Sequence, residues 1–444
     1  MSDPSRSLKA GGPSARLRLA VLAVILIATG RAAAADLEPR VAAGKCQSEP
    51  GTLLTQEAPG ETWEVATAGE QLHSRDRLLA LPGLQAVVEP RSDAVRVTLW
   101  GNLPQLSSFP GLESAVVLHD SRAFDLDLSL LRGRVVLANR KSEGAARVWV
   151  RVLDGGSELL LEEPGSEVAL EVYGRWPRGV PFAREAVPQH RPAGVLGVLA
   201  LKGRSVLRVG GMGHHLSPPP GNAIFHWDSV AGPEEAAQRL DRLPAWADAA
   251  AEPAAASEWA GLLKEVREAV ARKGPVAALG DLLAHADSRG ERGRHQQEVA
   301  VLGLGALGDI TRVVGALEDS RHAAARAAAV IALRHWIGEA AGHDQRLYHV
   351  LTDALGYSQK QAEAVMQLLH SPFDPGQPET YEALIAYLGH KRLAVRELAY
   401  WHLQRMVPAD EVVPFDAAAP EEERARSIAA WRKLLADGKL PPRR

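Results

Sequence analysis

The residue types with most chemistry to offer are scattered along the chain. Gly303-Leu-Gly305-Ala-Leu-Gly308 matches G-x-G-x-x-G, the loop that seats a dinucleotide pyrophosphate on a helix N-terminus. That chemistry needs a strand before the glycines and a second strand ending in an acid about 20 residues on. Here the corresponding stretch, Asp319 to Ala329, is alanine-rich and helical in pattern. A helix, a tight turn and a second helix account for the glycines instead. His214 and His215 follow Gly210-Gly-Met-Gly213, and His226 lies twelve residues after His214. Three imidazoles suit a transition metal, but adjacent strand residues point to opposite faces, so no metal site is expected. Asp125 and Asp127 stand two apart on an alternating segment and share a face. That is the placement of paired carboxylates, although a solvated strand face is the simpler expectation. His119-Asp120-Ser121 has triad residue types, but a triad gathers them from separate elements. No G-x-S-x-G, H-E-x-x-H or P-loop occurs. Neither catalytic nor cofactor-binding residues are assigned, and the chain reads as a non-enzyme.

The chemistry being sparse, the elements carry the argument. The 444 residues are 46% hydrophobic and 24% charged, as in globular proteins, with a formal net charge of −3. That balance offers nucleic acid no basic surface. One cysteine excludes an internal disulfide framework and a zinc ribbon.

Residues 1–18 carry Arg6, Lys9, Arg16 and Arg18, and an uncharged run follows from Leu19 to Thr29. With Ala33-x-Ala35 after it, this is the pattern of a secretory signal peptide over residues 1–35. Eleven apolar residues fall short of the ~20 that span a bilayer, so 19–35 would act as a membrane anchor only if left uncleaved. Cleavage after Ala35 leaves 46 basic and 53 acidic residues, a charge of −7. The expected compartment is the periplasm or cell envelope. Cys46 then falls in a flexible segment, 36–60, as a free thiol or one that pairs between chains.

Residues 61–230 alternate apolar and polar positions, as in Ala94–Leu99, Phe124–Leu130, Ala146–Val152 and Glu167–Tyr173. Period-two segments separated by Gly, Pro and Asp turns predict an all-β domain, sandwich or jelly-roll-like, with mostly antiparallel pairing. Trp63, Trp100, Trp149, Trp176 and Trp227 are expected to pack in its core. Several of these segments are similar to the FecR-type periplasmic sensor domain. Asp76–Ala80, Ala86–Glu89 and Val95–Leu99 resemble its opening strands. Leu131-Arg-Gly-Arg-Val-Val-Leu137 resembles its leucine, glycine, basic, valine strand. Glu163–Val172 and Leu199–Leu207 correspond to its later strands, with Glu163 where the family has Thr. The resemblance implies an envelope domain that senses or binds. The family's cytoplasmic anti-sigma segment has no counterpart before the apolar run.

After an Ala/Pro-rich linker at 231–256, the period becomes helical. Trp259, Leu262, Leu263, Val266, Ala269 and Val270 share one helix face. Ala329…Leu333, Ala364…Leu368 and Ala399…Leu403 recur at 35 residues, and Arg326 and Arg396 share an offset. A helix-pair period of this size predicts an α-solenoid over 257–436. The small Ala admits a close partner helix, and the arginines form a structural ladder with Asp319 or backbone. Ala306-Leu-Gly-Asp309 through Arg326 resembles a HEAT repeat. Glu421–Ala436 would be the capping helix, with Trp431 inward, and 437–444 a loose tail.

The expected protein is therefore multidomain, β then α, and non-enzymatic. It would bind or sense in the envelope, as scaffold or in signalling, through a protein partner, with its oligomeric state open. The alternative is an envelope-polysaccharide hydrolase with dispersed carboxylates such as Asp125. A dinucleotide protein using Gly303–Gly308 ranks below both.

Overall fold

The computed structural model describes residues 40–153, 155–247, 254–287 and 290–442. The leader and its cleavage site lie outside them. Two units divide at Val41, and all that follows concerns the larger, Ala42–Arg444.

The first strands are β1 (Ala42–Cys46), β2 (Leu54–Gln56), β3 (Glu64–Val65), β4 (Gln71–His73), β5 (Arg77–Ala80) and β6 (Gln85–Pro90). Then come β7 (Val95–Trp100), β8 (Ser114–His119), β9 (Leu126–Asn139), β10 (Ala146–Val152), β11 (Gly155–Leu161) and β12 (Glu167–Arg175). The last are β13 (Ala193–Lys202), β14 (Ser205–Val209), β15 (Met212–Leu216), β16 (Gly221–Asp228), β17 (Gly232–Pro233) and β18 (Gln238–Leu240). One layer runs β4-β1-β6-β7-β9-β12-β13-β16, with β17 and β18 on its far edge. The other runs β3-β2-β5-β8-β9-β10-β11-β14-β15. Pairing is antiparallel except for β9 with β10.

β9 belongs to both layers. Its first half pairs with β8 and β10, its second with β7 and β12. The change of layer falls at Gly133, whose φ of +89° a side chain would resist. A Cβ there would also strike the Glu113 carbonyl. Alternation supplies the core between the layers, where Val97, Leu128, Leu137, Val148, Leu170 and Phe225 meet.

Residues expected to be flexible at 36–60 instead hold β1 and β2. Cys46 is wholly buried in β1, because its neighbours alternate inward like the rest of the layer. A thiol in that position has no route to a second chain. The expected linker at 231–256 likewise carries β17, β18 and a short turn, Ala245–Ala247. Trp246 there lies over the Arg134 guanidinium, 3.5 Å from its ring centroid, and edge-on to Trp100 at 5.6 Å. Residues 248–253 fall outside the described set.

The helices are α1 (Ala254–Lys273), α2 (Pro275–His285), α3 (Glu291–Ala306), α4 (Ile310–Leu317), α5 (Ala323–Glu339), α6 (His343–His349), α7 (Gln359–His370), α8 (Pro378–Tyr387), α9 (Leu393–Met406) and α10 (Glu421–Ala436). A π-turn, Val350–Ala354, extends α6. Pro275 and Pro378 start their helices where a missing N–H costs nothing. Asp309 caps α4, and Ser358 with Gln361 forms a capping box on α7. Leu333, Leu368 and Leu403, at the 35-residue spacing, are all fully buried. Hydrogen bonds also join these helices: Arg334 Nη1 donates to the Leu369 carbonyl at 2.6 Å, 35 residues on, and His402 Nε2 meets the Leu368 carbonyl at 2.7 Å, 34 residues back. Trp431 is fully buried on α10, and Leu440 is 3% exposed. The expected loose tail is thus anchored at Leu440, which joins the core beside α10, while 437–439 are exposed.

Candidate binding cleft and the buried charge cluster beside it

The bend in β9 aims Arg132 at the helical half. Its guanidinium meets the Glu113 carboxylate, just before β8, and lies 3.4 Å from Glu339 at the end of α5. His335, one turn earlier on α5, is 3.3 Å from Glu113 and 3.7 Å from Glu339. Glu113 has no exposed side-chain surface. Burial alone would raise its carboxyl, but His335 and Arg132 outweigh that and hold it well below the usual carboxylate range. Burial pushes Glu339 up to about 7, with Arg132 opposing and Glu113 reinforcing. His335 is raised because Glu113 and Glu339 overcome the burial that would discharge it.

The same three residues, Glu113, His335 and Glu339, have ligand atoms close enough to hold a metal ion. Arg132 lies against both carboxylates, so the group already contains a cation. Its evident role is to join the two halves.

Other contacts continue this seam. Gly174 on β12 meets Gly338 on α5 backbone to backbone. Trp176 Nε1 donates to the Ile337 carbonyl at 2.9 Å. The Gln367 side chain on α7 hydrogen bonds both N–H and carbonyl of Phe182. Apolar residues of both halves, including Leu81, Leu103, Leu262 and Leu302, form one continuous cluster.

Two adjoining clefts open beside the seam. One, about 420 Å³, has Arg132, Arg151, Tyr173, Gly338 and Glu339 in its wall. The other, about 470 Å³, is lined by Val152, Leu196, Val209, Trp227 and Ser229. Leu153, Arg191, Pro192 and Gly194 line both. Leu153 sits at φ +52° and packs over Gly194, where no other residue would leave it room. Arg191 is exposed and has no acidic partner among the described residues. Arg151 is held by Asp127 through two bonds of 2.9 and 2.8 Å. Asp154 lies outside the described residues.

Of the four large hydrophobic side chains left exposed among the described residues, two line the clefts and two neighbour lining residues. The four are Leu131 (38%), Leu153 (43%), Met212 (54%) and Val230 (71%). Leu131 and Leu153 line the clefts. Met212 pairs in register with Val209, and Val230 follows Ser229. The turn at Ser229 is tied to Gly194 by two hydrogen bonds. Leu153, Met212 and Val230 come from turns and a strand end, which period-two reading of strand interiors passes over, and Leu131 lies within β9 two residues before Gly133.

The residues singled out by type are placed elsewhere. Gly303 and Gly305 lie inside α3, and Gly308 makes the turn into α4 at φ +80°. A Cβ on Gly303 would come within 2.7 Å of Leu279, and one on Gly305 within 2.9 Å of Ala332. These glycines let α2 and α5 approach α3. His214 is buried against Phe225 at 4.3 Å, His215 is exposed, and His226 faces Glu234 at 3.5 Å. Among the described residues they do not converge with other ligand types.

Asp125, Asp127, His119, Asp120 and Ser121 border a separate cleft of about 320 Å³. Asp125 accepts from Lys141 Nζ and the Arg147 N–H, both at 2.8 Å. Asp127 is buried, which corrects the expected solvated face: Arg151 folds over it. Arg326 donates to the Asp319 carbonyl, Glu397 and Asp416, and Arg396 to three carbonyls, as a structural ladder requires. Of the tryptophans, Trp63 is core, Trp176 sits in the seam and Trp227 lines a cleft.

Compared with protein-family models, curated proteins and solved structures, the chain matches none of them. Among the described residues no helix is long and apolar enough to cross a membrane.

Proposed function

We propose that this chain is a non-enzymatic binding or sensing protein of the cell envelope. Its FecR-like β-sandwich and HEAT-like α-solenoid serve protein–protein interaction, held as one body by the seam. The observation that carries this reading is the exposed apolar pair Leu131 and Leu153 in the cleft walls, with exposed Met212 and Val230 next to the lining residues Val209 and Ser229. Such side chains gathered at one place favour a partner surface, since scattered ones need no explanation. Trp, Met and Arg, which interfaces enrich, are all present there.

A photo-crosslinking residue at Met212, introduced in native cells, tests it, with exposed Glu143 as control position. The expected product is an envelope protein joined from Met212 and not from Glu143, on a chain beginning at Asp36. That partner, purified, should lose about tenfold affinity for Leu153→Asp, the scale of a ~1.4 kcal/mol interface contact. Equal products from both positions, or none, would remove the binding role. A full-length chain in the cytosol would remove the envelope.

A further inference from the structure

The occupant of the paired clefts is open to chemical argument. We infer that they accept a protein segment carrying a carboxylate beside an apolar side chain, with Arg191 as the residue that selects the acid. This rests on the binding role proposed above and specifies its partner.

Charge and shape converge on it. Arg191 stands on the divide between the clefts and lines both. The other two arginines of the wall are spent, Arg132 on Glu113 and Arg151 on Asp127. Glu339, the one acid lining either cleft among the described residues, is already occupied by Arg132 at 3.4 Å and His335 at 3.7 Å. Among the described residues, the positive charge left for a partner is therefore that of Arg191.

On one side of it the wall is apolar, with Val152, Leu153, Leu196, Val209 and Trp227. A side chain of leucine size fits such a hollow, and hollows that bury an apolar group beside one fixed polar partner give orientation as well as affinity. A guanidinium receives a carboxylate through two parallel N–H bonds, which lysine cannot reproduce. The exposed rim then closes over the flanking chain and excludes water, strengthening the central pair.

A basic partner segment would meet Arg191 with like charge. A purely apolar one would leave that guanidinium desolvated and unpaired.

The test is selection of a displayed library of random seven-residue peptides on the immobilised mature protein. Captured clones should be enriched in Asp or Glu adjacent to Leu, Ile, Val or Phe. Their synthetic peptides should bind Arg191→Glu at least about tenfold more weakly, and Arg191→Lys at an intermediate level. Binding should weaken as salt is raised. Circular dichroism and melting identical to the parent would show that both variants fold, as expected at an exposed position.

Clones that need Leu153 but carry no acid, or that bind Arg191→Glu unchanged, would overturn the acidic class and leave the binding role intact. Absence of any clone lost on Leu153→Asp would overturn the cleft as a peptide site. The Met212 crosslink would then decide the binding role separately.

Discussion

Gly174 and Gly338 touch backbone to backbone across the seam, with no space between them for a single methyl group. Gly338 is on the last turn of α5, where alanine would favour an isolated helix by about 1 kcal/mol. In this protein the sign should reverse. Gly338→Ala is expected to lose about 1–3 kcal/mol through overpacking, read as a lower urea midpoint. A gain in stability would show that the two halves do not meet there.

The charge cluster predicts a pH dependence. Glu339 and His335 both have folded pKa values above their unfolded ones, about 4.3 and about 6.5. Such groups contribute stability that is complete below the unfolded value and is lost as pH rises through the folded one. For Glu339 that loss runs up to pH about 7. Glu113 is depressed, so its contribution is present above about 4.3 and disappears only in stronger acid. The cluster's own contribution should therefore be larger at about pH 5.5 than at about pH 8.5, against the opposite trend set by His343, His390 and His402, whose folded values burial lowers. Glu339→Gln, which keeps the protonated shape, should flatten the difference. An unchanged slope in that variant would assign the effect to other groups.

Cys46 should be inert in the native protein. It is fully buried, and burial raises its thiol pKa. Reaction with a maleimide should proceed only after unfolding in urea, and oxidation should yield no disulfide dimer. Rapid native labelling would mean that β1 is not seated in the layer.

Gly305→Val should destabilise by about 1–3 kcal/mol, because Ala332 already lies where a Cβ would go. A dinucleotide at about 1 mM should leave the melting temperature of the parent unchanged, since a ligand of the folded state raises it. A rise with NAD would return Gly303–Gly308 to the list of binding residues.

The order of elements was legible because local pattern decides it. The face from Trp259 to Val270 and the 35-residue recurrence of Leu333, Leu368 and Leu403 survive in the structure because core burial enforces each position. The strands in 36–60 were not legible: β1 and β2 are short, and long-range pairing with β4, β5 and β6 makes them strands. The seam was hidden for the same reason. Glu113 and His335 are 222 residues apart, and no spacing rule connects them. The clefts assemble from turn residues such as Leu153, Arg191 and Ser229, whose types alone suggest only loops. The Leu131–Leu137 segment read as a strand, with no hint of the bend at Gly133 or that Arg132 and Arg134 part there in different directions.

β9 carries a structural consequence of its own. Each layer uses it as an interior strand, and its bend supplies the arginine that reaches the helices. It works as a keystone, since removing it would leave both layers with a gap and the seam without its cation. Loss of order in this one strand would propagate to all three parts together. The chain should accordingly resist being trimmed by proteases into a stable β fragment and a stable helical one.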